Sequence, residues 1–289
     1  MTQTLEIALG NLLAALPETR RLHARRSALY PVLELSAKEC ANGLFGPESP
    51  QRSALGDIGD IELPYRSFGA INSVHLFGLS ELVIFSFYFA NRRNYKRVAD
   101  IGANIGVHSI ILAKLGYIVD ASEPDPQHLA LLIENLKRNG IAERVTPHPT
   151  AVSVSAGSLE FVRLLGNTTG SHLAGSKPSA YGDMERFDVT VVPFVEVMAK
   201  SDLIKLDVEG HEFEILASTA QENWATTDAI IEVGTAENAA RIFKHFSSIG
   251  VNLFSQKIGW DKVLDIAEMP TSHRDGSLFI SLRPEMNWS

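Results

Sequence analysis

The chain has one cysteine, Cys40, among its 289 residues. A single sulfur can build neither a disulfide framework nor a thiolate zinc cluster, and this scarcity fits a reducing cytoplasm. No export signal is read. Glu6 stands early, no basic stretch precedes the apolar run at residues 12–16, and that run is too short for a signal core. The most apolar segment, residues 82–90, is about half the roughly 20 residues that span a bilayer. Basic charge is also in short supply. With 26 Lys and Arg against 34 Asp and Glu the formal charge is −8, a field that repels phosphate backbones and anionic lipid, so neither nucleic acid nor a membrane is the expected partner. Repeats and low-complexity tracts are absent, and the 45% hydrophobic and 21% charged content is that of a globular protein with a large core.

The chain divides near Asn91. Residues 4–40 are rich in Leu, Ala, Glu and Arg, with Pro17 and Pro31 as interruptions, and predict two or three short helices. The cluster Arg20, Arg21, Arg25 and Arg26 reads as a solvated helix face. Residues 41–80 hold Gly, Pro and Ser among scattered apolar positions and predict turns with short strands. Residues 1–90 are thus an N-terminal helical and irregular extension, expected to pack on the core or to mediate homo-oligomerisation.

From Arg97 onward, short β-branched runs alternate with helical stretches, the pattern of βαβ units in a doubly wound α/β fold with a parallel sheet. Strands are expected at 98–101, 117–121, 145–152, 159–165, 203–208, 229–233, 251–254 and 278–282. Helices are expected at 107–115, 126–139, 211–220 and 236–249. Asp125 is the expected cap of the 126–139 helix, Pro126 fits its first turn and Gly140 stops it. The Gly, Ser and Thr-rich stretch 166–182 predicts a mobile loop, and its part 166–172 is a candidate substrate lid. Asn167-Thr168-Thr169 spells a glycosylation sequon without meaning in a cytoplasmic chain.

Between the first strand and its helix lies Asp100-Ile101-Gly102-Ala103-Asn104-Ile105-Gly106. Gly102 suits the tight turn leaving the strand and Gly106 the close packing where the helix begins, so a ligand can lie against bare backbone. The spacing lacks the Gly-x-Gly of the dinucleotide fingerprint and the Lys-Ser/Thr of a phosphate loop. Asp100 would repel a pyrophosphate but suits an ammonium or sulfonium, which favours S-adenosylmethionine over NAD. Glu123, followed by Pro124, ends the next strand, where a carboxylate can accept both hydroxyls of a ribose.

Central strands of parallel sheets are normally apolar on both faces, yet Ile204-Lys205-Leu206-Asp207-Val208-Glu209-Gly210-His211-Glu212 alternates charge with aliphatics. The period of two puts Lys205, Asp207 and Glu209 on one face, so these side chains are expected at the carboxyl end of the sheet, where open α/β folds bind ligands. His211 follows at a helix start, where the dipole disfavours the imidazolium and keeps a neutral base available.

Together these residues resemble the FkbM family of S-adenosylmethionine-dependent methyltransferases, through residues 98–106, Glu123-Pro124, Asn135, Ala151-Val152 and residues 205–212. The resemblance covers residues 97–217 well and the last seventy by pattern, and leaves the first ninety unexplained. It implies a Rossmann-like, seven-stranded methyltransferase sheet with its last strand antiparallel over residues 91–289, and methyl transfer to a hydroxyl of a sugar or secondary metabolite. It implies that Gly102, Ala103 and Asn104 line the methionine part, Glu123 the ribose, and Pro124, Thr150 and Ala151 the adenine.

A hydroxyl acceptor must lose a proton. His211 is the expected base, oriented by Asp207 or Glu209 beside Lys205. A competing scheme has Asp207, Glu209 and Glu232 hold Mg²⁺. His211-Glu212 is followed by Phe213, Glu214 and Ile215, so the His-Glu-x-x-His zinc pattern is missing. Two rival readings share the fold: an NAD-dependent oxidoreductase, and a catalytically idle subunit that binds a partner through its first ninety residues.

Overall fold

The computed structural model describes residues 2–49, 52–176 and 183–288. Its helices are α1 (Thr2–Ala15), α2 (Tyr30–Phe45), α3 (Leu79–Ala90), α4 (Val107–Lys114), α5 (Pro126–Arg138), α6 (Phe194–Met198), α7 (Glu212–Leu216) and α8 (Ala236–Ile249). A short hairpin pairs β1 (Arg52–Ala54) with β2 (Asp60–Glu62). The strands that follow are β3 (Arg97–Ile101), β4 (Ile118–Ser122), β5 (Val145–His148), β6 (Thr150–Ser153), β7 (Gly157–Leu164), β8 (His172–Leu173) and β9 (Met184–Pro193), then β10 (Leu203–Leu206), β11 (Asp228–Glu232), β12 (Asn252–Ser255), β13 (Asp261–Lys262) and β14 (Ser277–Ser281).

The main sheet runs β5-β4-β3-β10-β11-β14-β12-β13. Strands β5, β4, β3, β10 and β11 are parallel, and the final strand β14 lies antiparallel between β11 and β12. The two-residue β13 at the edge is additional to the seven strands the resemblance implies. The order reverses between β3 and β10, and ligands in open α/β sheets bind at the carboxyl ends beside such a reversal.

The strand pattern explains which face each helix covers. Leu203 faces a core built from α1–α5 and the turn before α3, including Leu9, Tyr30, Phe77, Leu82, Ile110 and Leu132. Its neighbours Ile204 and Leu206 face the opposite core, with Phe194, Ile215, Ile242 and Phe246 of α6–α8. The N-terminal extension thus shares one continuous core with the sheet. Helix α3 is apolar almost all round and sits inside that core. Polar ties reinforce it: the Glu62 and Asn139 amides exchange bonds of 2.8 and 2.9 Å, and Trp260 Nε1–H donates to His23 Nδ1. Of the arginine cluster, Arg21, Arg25 and Arg26 are exposed and Arg20 is half-buried.

One expected strand is two. Pro149, which has no N–H to donate, separates β5 in the main sheet from β6, which joins a second sheet of order β6-β9-β7-β8. Strand β9 was not expected, and helix α7 is shorter than the 211–220 span. Of the loop 166–182, residues 168–170 form a single 3₁₀ turn and 172–173 form β8; residues 177–182 lie outside the described residues. Among the described residues no helix is long and apolar enough to cross a membrane.

Candidate active site

A cleft opens at the carboxyl ends of β3, β4 and β10. Its floor is the glycine loop. Gly102 and Ala103 donate their N–H groups to Ser122 O on the neighbouring strand, at 3.0 and 3.1 Å. Gly102 has φ +76°, and a Cβ there would stand 1.8 Å from the carbonyl oxygen of Asp207, so only glycine lets the two turns meet. Asn104 is also left-handed, with φ +52°, and its N–H donates to Glu123 Oε2 at 2.7 Å. Asn135 on α5 locks the loop from behind, its amide donating to Ile105 O at 2.9 Å.

Glu123 is buried, and its second oxygen accepts from the Asp125 N–H at 2.8 Å. Burial pushes its carboxyl up to about 7, against the pull of these two backbone bonds. Asp125 caps α5 as expected, accepting from Gln127 N. It also forms a bidentate pair with Arg163 of β7, at 2.6 and 2.7 Å, in which both side chains are buried. That pair fastens the second sheet over the cleft, and Arg163 reaches on to Glu185 at 2.6 Å.

Of the residues expected to hold a cofactor, Gly102, Asn104, Glu123, Pro124, Thr150 and Ala151 line the cleft, whereas Asp100, Ala103 and Gly106 support it from outside the lining. Of the expected catalytic set, Asp207 and Glu209 line it and Lys205 and His211 do not. Strands β7 and β8 add Phe161, His172 and Leu173, the turn between them adds Thr168, Thr169 and Ser171, and α5 adds His128, whose Nε2 meets Thr168 Oγ1 at 3.0 Å. The lid reading of 166–172 touched part of this wall; nothing in the sequence marked His128 or Phe161.

Lys205 is nearly buried. Its ammonium donates to Gly102 O at 3.1 Å and stands 3.5 Å from Asp207 and 3.6 Å from Asp100. Burial alone would lower its pKa, but Asp207, Asp100, Glu81 and Glu232 together outweigh that and hold it above the ordinary lysine value. The turn carrying Asp207, Val208 and Glu209 is held by Glu212, whose Oε1 accepts from Gly210 N at 3.0 Å, and Glu209 adopts φ +55° within it. Burial raises the Glu212 carboxyl to about 7.

His211 departs from the expected geometry. Its nitrogens engage serine hydroxyls, Nε2 with Ser153 at 2.8 Å and Nδ1 with Ser176 at 3.2 Å. The serines, not Asp207 or Glu209, orient the ring, because the turn after β10 points it toward the second sheet. Burial lowers its pKa and keeps it neutral. Among the described residues no three His, Cys, Asp or Glu side chains are placed to hold a metal, and the Lys205 ammonium takes the position beside Asp207.

The cleft fits an adenosyl ligand on its own chemistry. Gly102 lines the cleft, the buried Asn104 Oδ1 has no hydrogen-bond partner, and Glu123 keeps lone pairs for a diol in a cleft that Phe161 and Leu173 also line.

The family described as "Methyltransferase FkbM domain" matches residues 100–254, more than half of the chain. A hexuronic acid methyltransferase, AglP, of Haloferax volcanii is 27% identical over 165 residues, which cover 56% of this chain and 66% of that protein. Among solved structures, a methyltransferase FkbM from Methylobacillus flagellatus is 16% identical with a TM-score of 0.41, over 72% of this chain and about half, 52%, of that one. A SAM-dependent O-methyltransferase from Thermotoga maritima is 16% identical with a TM-score of 0.35, over 68% and 65% of the two chains. With its glycine loop, Glu123 and the charged strand all inside the matched segment, the chain belongs to the FkbM methyltransferase domain family, whose methyl donor is S-adenosylmethionine.

Proposed function

We propose that the protein transfers the methyl group of S-adenosylmethionine to a hydroxyl of a sugar or of a similar polyhydroxylated metabolite. The observation that carries this reading is the buried Glu123 clamped beneath the glycine loop, with its remaining lone pairs available to a ribose. The likeness to a hexuronic acid methyltransferase supports a sugar as acceptor.

Gly102, Ala103 and Asn104 would hold the methionine part, Glu123 the ribose, and Pro124, Thr150 and Ala151 the adenine. Bound there, the cofactor supplies a methyl carbon already activated by its sulfonium. The protein's own contribution is alignment in a cleft walled on one side by residues of the second sheet. Asp207, 37% exposed beside Lys205, orients the acceptor hydroxyl at the cleft's edge. His211 takes the proton released from that hydroxyl. His211 lies behind the cleft lining, and one of its nitrogens donates to a serine while the other accepts from one, so the proton would be relayed by whichever of Ser153 and Ser176 donates to the ring.

The test is transfer of radiolabelled methyl to neutral sugars and hexuronates, with His211→Ala as comparison. Transfer into an alkali-stable ether that falls at least a hundredfold in the variant, with binding of S-adenosylhomocysteine unchanged, supports the reading. An alkali-labile methyl ester as product would refute hydroxyl methylation, and full activity of the variant would remove His211 from the mechanism.

A further inference from the structure

Helix α3 belongs to the extension and lies outside the family-matched segment, yet it brings a carboxylate to the first turn of α4, just past the glycine loop. Glu81 Oε2 meets His108 Nε2 at 2.8 Å, and His108 Nδ1 meets Tyr88 Oη at 3.0 Å. His108 stands in the first turn of α4, two residues past Gly106, so this chain of contacts ties α3 to the glycine loop. The ring is held at both nitrogens, which fixes the Glu81 carboxylate. Glu81 Oε1 takes no hydrogen bond among the described residues, and the side chain is 31% exposed.

The surroundings carry excess negative charge. The Lys205 ammonium feels the carboxylates of Asp207, Asp100 and Glu81, beside the Glu232 carboxyl. Asp100 is fully buried, and one of its oxygens, Oδ1, has no hydrogen-bond partner. Ser109 holds the other at 2.6 Å. A buried surplus of this kind is costly unless a ligand brings a cation. Asp100 is closed to a ligand, and Asp207 is engaged with Lys205. Burial raises the Glu232 carboxyl well above its ordinary range, which keeps it neutral. Burial acts most strongly on Glu81 and would raise it, but the bond to His108 together with the charges of His108 and Lys205 outweighs burial and holds the carboxyl below its ordinary value. With Asp207 assigned to the acceptor hydroxyl, that leaves Glu81 as the partly open carboxylate of the four without a role.

We propose that Glu81 binds the ammonium of the cofactor's amino-acid end, so that the N-terminal extension completes the cofactor site, with His108 as its positioning residue. The proposal rests on the S-adenosylmethionine reading and adds to it a residue that the family match does not contain. No covalent step is involved.

Calorimetric titration of the full chain with S-adenosylhomocysteine and with its des-amino analogue, which keeps the carboxylate and lacks the ammonium, tests it. Glu81→Gln should weaken S-adenosylhomocysteine about tenfold, the loss of one charge-assisted contact, and leave the analogue's affinity unchanged. Glu81→Asp should recover part of the loss. His108→Asn, which loosens the carboxylate without removing it, should give a smaller loss with the same ligand selectivity and covers the case in which Glu81→Gln fails to fold. Equal effects on both ligands, or none on either, would overturn the role of Glu81 while leaving the cofactor reading intact. Failure of the unaltered protein to bind either ligand would instead overturn the cofactor reading, and the proposal with it.

Discussion

Glu123 makes cofactor affinity depend on pH in a calculable way. Burial places its folded-state pKa at about 7, whereas a ribose diol that donates two hydrogen bonds selects the carboxylate. The binding-competent fraction of the free protein is therefore the ionised fraction, and the apparent dissociation constant rises as that fraction falls. At pH 5.5 the ionised share is about one in thirty, and at pH 8 it is nearly complete. Affinity for S-adenosylhomocysteine should therefore be about thirtyfold weaker at pH 5.5, equivalent to about 2 kcal/mol. Because binding favours the charged form, it releases a proton near neutrality, so the calorimetric heat should change with the ionisation enthalpy of the buffer. Glu123→Gln should bind weakly and without this pH dependence. A dissociation constant that is flat between pH 5.5 and 8, with no buffer dependence of the heat, would refute the role given to Glu123.

Other consequences follow from the packing. Arg163→Met should destabilise the protein by about 3 to 5 kcal/mol in urea unfolding, because it leaves Asp125 buried and unpaired, and adding Asp125→Asn should restore part of the loss. An unchanged midpoint would show that the pair does not hold the second sheet. His23 is buried, and desolvation lowers its pKa to about 4 in the folded chain. The unfolded state binds more protons below about pH 6.5, so stability should fall by up to about 3 kcal/mol as pH drops from 6.5 towards 4; an NMR titration midpoint of the His23 ring near 6.5 would contradict this. Gly102→Ala should abolish binding of S-adenosylhomocysteine, since the added methyl meets the Asp207 carbonyl, and retained affinity would mean that the two turns can separate.

The parts of the site that the sequence makes legible are those whose chemistry is local. The loop from Gly102 to Gly106 lies between a strand and a helix, Glu123 ends the next strand, and Lys205 and Asp207 break the apolar pattern of a central one. Each is a departure from pattern within a few residues. The α/β class and the antiparallel last strand are legible for a related reason, since periodicity and the family resemblance both act over contiguous stretches. The second sheet is hidden because β9 pairs with β7 across a polar loop and because Pro149 divides what reads as one strand. Asp125 shows the limit clearly. Its capping role is written in the adjacent Pro126, but its pairing with Arg163 spans 38 residues and has no local signature. The same holds for the serines that face His211 and for Glu81, whose contact with His108 depends on how the extension docks.

The central claim is that this cleft binds an adenosyl cofactor through Glu123, and calorimetric titration with S-adenosylhomocysteine, run beside NADH, tests it most directly. The account predicts micromolar affinity for the former, about −8 kcal/mol, lost in Glu123→Ala, and no binding of NADH. Binding of NADH, or silence with S-adenosylhomocysteine, would contradict it.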